Sequence, residues 1–171
     1  MNDNHTRQAV ILLFLLTAGT IAGAWGFQVL GGYLPCPLCL KQRGIYYAAV
    51  PLLAVLLWLI LAYPDKARIV RRGLLVVALI MLASAFLGAY HAGVEWKWWP
   101  GPDACAFGAG LSGGLPDFNA AKVVSCSEAP WRFLGLSFAG WNVVVSLVAT
   151  GLALWGARRP LASQGSSSVS Q

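Results

Sequence analysis

Four stretches of the chain, 9–30, 44–63, 73–94 and 133–157, contain no Asp, Glu, Lys or Arg, and each is at least 20 residues long. A helix rises about 1.5 Å per residue, so each stretch can cross a hydrocarbon layer about 30 Å thick. Lipid offers no partner for backbone N–H and C=O groups, and a spanning segment must satisfy them internally. Long continuous apolar runs do so as helices, whereas a membrane barrel would show alternation over segments of about ten residues. The expected fold is an all-α membrane protein, a single four-transmembrane-helix bundle. Composition agrees: 58% of residues are hydrophobic and only 11% are charged, less charge than a soluble domain carries. The formal net charge of +6 does not point to nucleic acid, because the basic residues lie at the ends of the apolar runs.

Four spans put both termini on one side of the membrane. Arg7, Lys66, Arg68, Arg71, Arg72, Arg158 and Arg159 share that side, while Lys41, Arg43, Lys97, Lys122 and Arg132 are spread more thinly over the other. The positive-inside rule makes both termini cytoplasmic and places the loops at about 31–43 and 95–132 outside. Trp96, Trp98, Trp99 and Trp131 at outer ends, with Tyr63 and Trp155 at inner ends, fit interfacial belts. Arg7, an apolar run and Ala22-Gly23-Ala24 imitate a signal peptide, but the run continues to Leu30, too long for an h-region. Gly19 and Gly23 stand at a spacing that suits close packing between helices. The Gly-rich segment 95–132 is too short for a core of its own; a short interfacial helix is expected within 116–124, resting on Leu115, Phe118 and Val123. The Ser-rich tail, 160–171, is expected to be disordered. No span holds an ionisable Asp, Glu, Lys or Arg, which argues against an ion path.

All four cysteines, Cys36, Cys39, Cys105 and Cys126, fall on the outer side. In the stretch LPCPLCLKQR, Pro37 suits a first helical turn, Cys36 the N-cap, and Cys39 and Arg43 follow on the same face. A helix N-terminus and a nearby cation both stabilise a thiolate, so the spacing predicts a redox-active dithiol. A structural disulfide is the duller reading, weakened by the tiny loop it would close. Zinc would need four ligands, and no second close cysteine pair is present even if His91 were recruited. Arg43 reads either as a snorkelling interfacial residue or as support for a thiolate and for charge developing on an acceptor ring. Lys41 and Gln42 carry no chemistry that the motif requires.

Cys105 and Cys126, with 20 residues between them, look like an ordinary long-range disulfide, worth about 3 kcal/mol by loop closure. Yet the loop has little fold to protect, and a surface bridge is open to attack by an incoming thiolate. Two pairs on one face are what a relay would need, in which thiol–disulfide exchange would pass two electrons through mixed disulfides to a final acceptor. The sequence has no haem, flavin or iron–sulfur signature, and the bilayer offers a lipid-soluble quinone.

The stretches CPLCLKQR, YHAGVEWKWWPGPDAC and CSEAPWRFLGLSFAGWN, in this order among four spans, resemble the quinone-linked disulfide bond formation protein B (DsbB) family. That resemblance covers nearly the whole chain. It implies a bacterial inner-membrane enzyme, a protein-dithiol:quinone oxidoreductase with its cysteines in the periplasm. A reduced thioredoxin-fold oxidase of the DsbA kind would attack the Cys105–Cys126 disulfide, with Cys105 the site of the mixed disulfide. Electrons would pass to Cys36 and Cys39 and on to ubiquinone or menaquinone. Cys39 is then the expected partner of the quinone ring, Arg43 its electrostatic support and His91 a candidate contact to its carbonyl. The alternatives are a vitamin-K-epoxide-reductase-like enzyme, whose Cys-x-x-Cys lies late in its bundle, and a non-enzymatic membrane protein stapled by its disulfides. Ser137, Asn142 and Ser146 read as interhelical hydrogen-bonding residues.

Overall fold

The computed structural model describes residues 4–103, 105, 122–123 and 125–158. Helices α1 (Asn4–Val29), α2 (Pro37–Ala62), α3 (Ala67–Glu95) and α4 (Phe138–Ala157) are each long and apolar enough to cross a membrane. Tyr63 ends α2, and a single 3-10 turn, Pro64–Lys66, reverses the chain into α3. The chain is an all-α membrane protein built as a four-helix bundle. Its helices are apolar all round, as spans must be: Leu79 and Phe86 of α3 are 68% and 69% exposed, lying on the face that lipid covers. Inside, Val10, Leu13, Leu53, Leu74, Val77 and Met81 form the main core.

Lipid tails are as apolar as leucine, so close approach and internal hydrogen bonds hold such helices together. Thr6 Oγ1 donates to Gly156 O at 3.0 Å, tying the start of α1 to the end of α4. A Cβ on Gly156 would sit 2.4 Å from Ala9 Cβ and 2.9 Å from Leu74 Cδ1. Gly156→Val is therefore expected to destabilise the bundle by about 1–3 kcal/mol through overpacking, read as a lowered midpoint of thermal unfolding in detergent. Helices α2, α3 and α4 meet at a buried polar knot. Tyr46 OH donates to Asn142 Oδ1 at 2.7 Å, and Ser146 Oγ donates to Ser84 Oγ at 2.9 Å. Asn142 and Ser146 thus act between helices, as expected, and Ser137 does so too, since it caps α4 by accepting from Gly140 N at 3.2 Å and also hydrogen-bonds the Glu95 side chain at the end of α3.

The glycines expected to seat helices together behave differently. A Cβ on Gly19 or Gly23 would meet nothing within 4 Å, and both residues line a cleft. Close packing falls instead to Gly156 and to Gly88, where a Cβ would lie 3.0 Å from Asn142 Nδ2.

Among the described residues, four two-residue strands organise the cysteine-bearing end. β1 (Tyr33–Leu34) pairs in parallel with β2 (Lys122–Val123), so the second half of the long loop returns beside the α1–α2 connection. Lys122 and Val123 are extended, not helical as expected; 116–121 and 124 lie outside the described residues, as do Leu115, Phe118 and the tail 160–171. β3 (Arg132–Phe133) and β4 (Leu136–Ser137) form a hairpin. Its turn residues Leu134 and Gly135 have φ of 51° and 81°, the paired positive values that suit a two-residue hairpin. The last uncharged run begins at Phe133, but its first five residues serve this hairpin, and Trp141 Nε1 donates to Phe133 O at 3.0 Å to fasten it to α4.

Candidate redox site

Pro37 occupies the first position of α2, where a missing N–H leaves no bond unmade. Cys36 is the N-cap, and its Sγ accepts from Cys39 N at 3.1 Å. Both residues are free thiols, while Cys105 and Cys126 are joined in a disulfide. Cys36 and Cys126 are buried in one cluster with Leu38 and Val94, and Cys39 and Cys105 pack against it. All four cysteines therefore share one small volume at the end of the bundle. Their exposures differ: Cys126 is 2% exposed and Cys36 fully buried, while Cys39 and Cys105 are half-buried.

The long loop is brought there by Trp99, whose ring covers Gly93 so closely that a Cβ would lie 2.1 Å from it. Trp99 Nε1 donates to Tyr90 O at 2.9 Å, and Cys105 N donates to Pro102 O at 2.8 Å, which turns the loop back over the end of α3.

Sequence spacing predicted stabilised thiolates at this pair. For Cys36 the structure gives the opposite: its hydrogen bond with Cys39, followed by burial, holds the Cys36 thiol well above the ordinary cysteine range. The helix N-terminus does act on Cys36 through the Cys39 amide, but the neighbouring sulfur and burial outweigh it.

A cleft of about 290 Å³ opens on the Cys39 side, with Phe27, Phe138 and Trp141 among its apolar walls and Cys39, Arg43 and His91 among its polar lining. Cys36 faces the loop disulfide, and Cys39 faces this cleft. Arg43 donates through Nη1 to Gln28 Oε1 and through Nη2 to Ala24 O at 2.8 Å. Its guanidinium also lies 6.0 Å from the Trp25 ring, close enough for a cation–π contact. Arg43 is thus a clamp between α2 and α1 as well as a cation at the cleft, not a snorkelling residue.

His91 is buried, not interfacial. Gln42 Nε2 lies 2.8 Å from His91 Nδ1, which places the ring proton on Nε2, 3.8 Å from Cys36 Sγ. Gln42, to which the sequence assigned no chemistry, is the residue that orients the histidine. Glu95 was also missed. Its side chain is 5% exposed and its Oε1 stands 4.0 Å from His91 Nε2. The signal that could have found it is the i,i+4 spacing from His91 at the end of an uncharged run.

A dithiol and a disulfide packed together can exchange, and a half-buried sulfur on an apolar cleft can meet a lipid-soluble acceptor. The family model for the disulfide bond formation protein DsbB matches residues 6–156. The chain belongs to the DsbB family. Among curated relatives, disulfide bond formation protein B of Albidiferax ferrireducens is 33% identical over 153 residues, covering 84% of this chain and 82% of its own. The protein of the same name from Methylococcus capsulatus is 32% identical over 166 residues, covering 90% and 96%. That of Xanthomonas oryzae pv. oryzae is 33% identical over 156 residues, covering 87% of each. No solved structure gave a significant match. Membership of the DsbB family makes the chain a multi-pass membrane protein of disulfide bond formation.

Proposed function

We propose that this chain re-oxidises a periplasmic thioredoxin-fold oxidase of the DsbA kind and passes the electrons to a membrane quinone. The observation that carries this reading is the packing of all four cysteines into one cluster, with Cys39 on the wall of an apolar cleft. The inner membrane of a bacterium, with both termini cytoplasmic and the cysteines periplasmic, is the setting favoured by the crowding of Arg68, Arg71 and Arg72 at the far end of the bundle.

A donor thiolate attacks Cys105, the more exposed sulfur of the loop disulfide, and Cys126 leaves as a thiolate. Cys126 attacks Cys36 of an oxidised Cys36–Cys39 pair, and Cys39 leaves as a thiolate one turn from Arg43. The donor's second thiolate displaces Cys105 and departs as a disulfide. Cys105 then displaces Cys36 from Cys126, restoring the loop bridge and leaving Cys36 and Cys39 two electrons richer. The structure has this last distribution of bonds and thiols.

The cleft suits a quinone headgroup: apolar walls for the ring, with Arg43 and His91 as hydrogen-bond donors for carbonyl oxygens. A bound quinone supplies a two-electron, two-proton acceptor. Arg43 and His91 would hold it, and Cys39 is the sulfur that faces it. Until a quinone is bound, His91 Nε2–H faces Cys36 Sγ at 3.8 Å.

The test is steady-state oxidation of a reduced DsbA-type protein by the purified chain in detergent with a soluble quinone. Turnover coupled to quinone reduction supports the reading, and inactivity toward several donors and quinones removes it. In the same assay Gln42→Leu strips His91 of its Nδ1 partner and is expected to lower kcat/KM roughly 10-fold, as the loss of an orienting hydrogen bond does elsewhere. Its thermal unfolding midpoint should stay near wild type.

A further inference from the structure

Reduction of Cys36 and Cys39 creates a second kind of site. The two sulfurs and a ring nitrogen of His91 all lie within 4.8 Å of one another, with Cys36 Sγ 3.8 Å from Nε2. A tetrahedral zinc ion, with Zn–S about 2.3 Å and Zn–N about 2.0 Å, sets its donors about 3.5–3.8 Å apart. These donors therefore close on an ion with shifts of about an ångström or less. The Cys39 amide already donates to Cys36 Sγ, a bond that strengthens as the sulfur gains negative charge. Turning over the Gln42 amide would present its oxygen to an Nδ1–H and free the Nε2 lone pair for a metal.

Glu95 lies beside the histidine of this cluster. Glu95 Oε2 is buried with no hydrogen-bond partner among the described residues, and Oε1 stands 4.0 Å from His91 Nε2. The Ser137 hydroxyl and the charge of Arg132 already act on this carboxylate, so it adds negative potential near His91 without being a ligand. Two thiolates and a neutral imidazole also make a zinc complex of zero net charge, the form a poorly solvated site tolerates best. The sequence argued against zinc because no second close cysteine pair exists; α3 supplies a third donor, His91, beside the two sulfurs.

We propose that the reduced Cys36–Cys39 pair and His91 bind one soft divalent cation, Zn²⁺ foremost, with water completing the fourth position. Binding releases the thiol protons to solvent and moves no electrons. Disulfide formation at the same pair removes both sulfur ligands, so metal occupancy and oxidation exclude one another. Zinc would arrest any dithiol chemistry there by trapping the reduced pair, whatever its natural acceptor.

The experiment uses the full chain in detergent, free of quinone, reduced with a phosphine that is then removed. Bound zinc is measured by chelator displacement after equilibration with Zn²⁺, and Co²⁺ is the spectroscopic probe. One zinc per chain is expected in wild type and in Cys105→Ser/Cys126→Ser, with none after oxidation of the pair by diamide. Cys36→Ser should lose binding, and His91→Ala should weaken it by at least about 10-fold. The Co²⁺ spectrum of wild type should show a thiolate charge-transfer band, which needs no variant to fold. Equal zinc binding before and after diamide, or a Co²⁺ spectrum without that band, would overturn the proposal.

Discussion

Cys39→Ser is expected to reduce turnover of a DsbA-type donor by roughly 10³-fold or more, because a serine hydroxyl neither carries the electrons nor forms the mixed disulfides of the relay. Cys36→Ser should fall as far. Cys105→Ser and Cys126→Ser should fall equally with the protein donor, since the donor enters through the loop bridge. They should fall much less with a small dithiol able to reach the helix pair directly. This split separates a relay from a structural bridge: a stapling disulfide would show itself in the unfolding midpoint and leave the donor assay nearly intact. Burial sets the order of events. Cys105 is the accessible sulfur of its pair, Cys126 and Cys36 are sealed together, and Cys39 faces the cleft.

Arg43→Met carries the next largest expected effect, a rise of roughly 10- to 100-fold in the KM for quinone. A hydrogen bond from a charged donor is worth about 1.5–3 kcal/mol, and the guanidinium also joins α2 to Gln28 and Ala24 of α1 beside the cleft. Arg43→Lys keeps the charge without the planar fork, so it should recover part of the loss. The small-dithiol reduction of the Cys36–Cys39 disulfide, measured without quinone, should change little in either variant. An equal fall in that half-reaction would place the role of Arg43 at the sulfurs and not at the acceptor.

The four helices were legible because lipid forbids charge and demands long uninterrupted runs, and those runs are plain in the sequence. Cys-Pro-x-Cys followed by Arg43 was legible because an N-cap, a first-turn proline and one helical face are local matters. What stayed hidden depends on partners far away in the chain. Gly19 and Gly23 have the spacing of packed glycines, but only tertiary structure shows that a cleft lies against them. Gln42 is a polar residue in a motif until α3 brings His91 to within 2.8 Å of it. Glu95 ends a span, where a charged residue ordinarily meets water, and only tertiary structure brings Arg132 and Ser137 of the hairpin to it. The pairing of Lys122 and Val123 with Tyr33 and Leu34 is likewise a long-range fact, which no local pattern announces.

The most direct measurement is a single-turnover titration of fully reduced protein with quinone under anaerobic conditions, counting quinone reduced and thiols lost. With four cysteines, wild type should reduce two quinones and lose all its thiols. Cys105→Ser/Cys126→Ser should reduce one, and Cys36→Ser/Cys39→Ser none, its loop thiols staying intact. Oxidation of Cys105 and Cys126 by quinone in the absence of Cys36 and Cys39, or no quinone reduction by wild type, would contradict a path that runs from the loop through the helix pair.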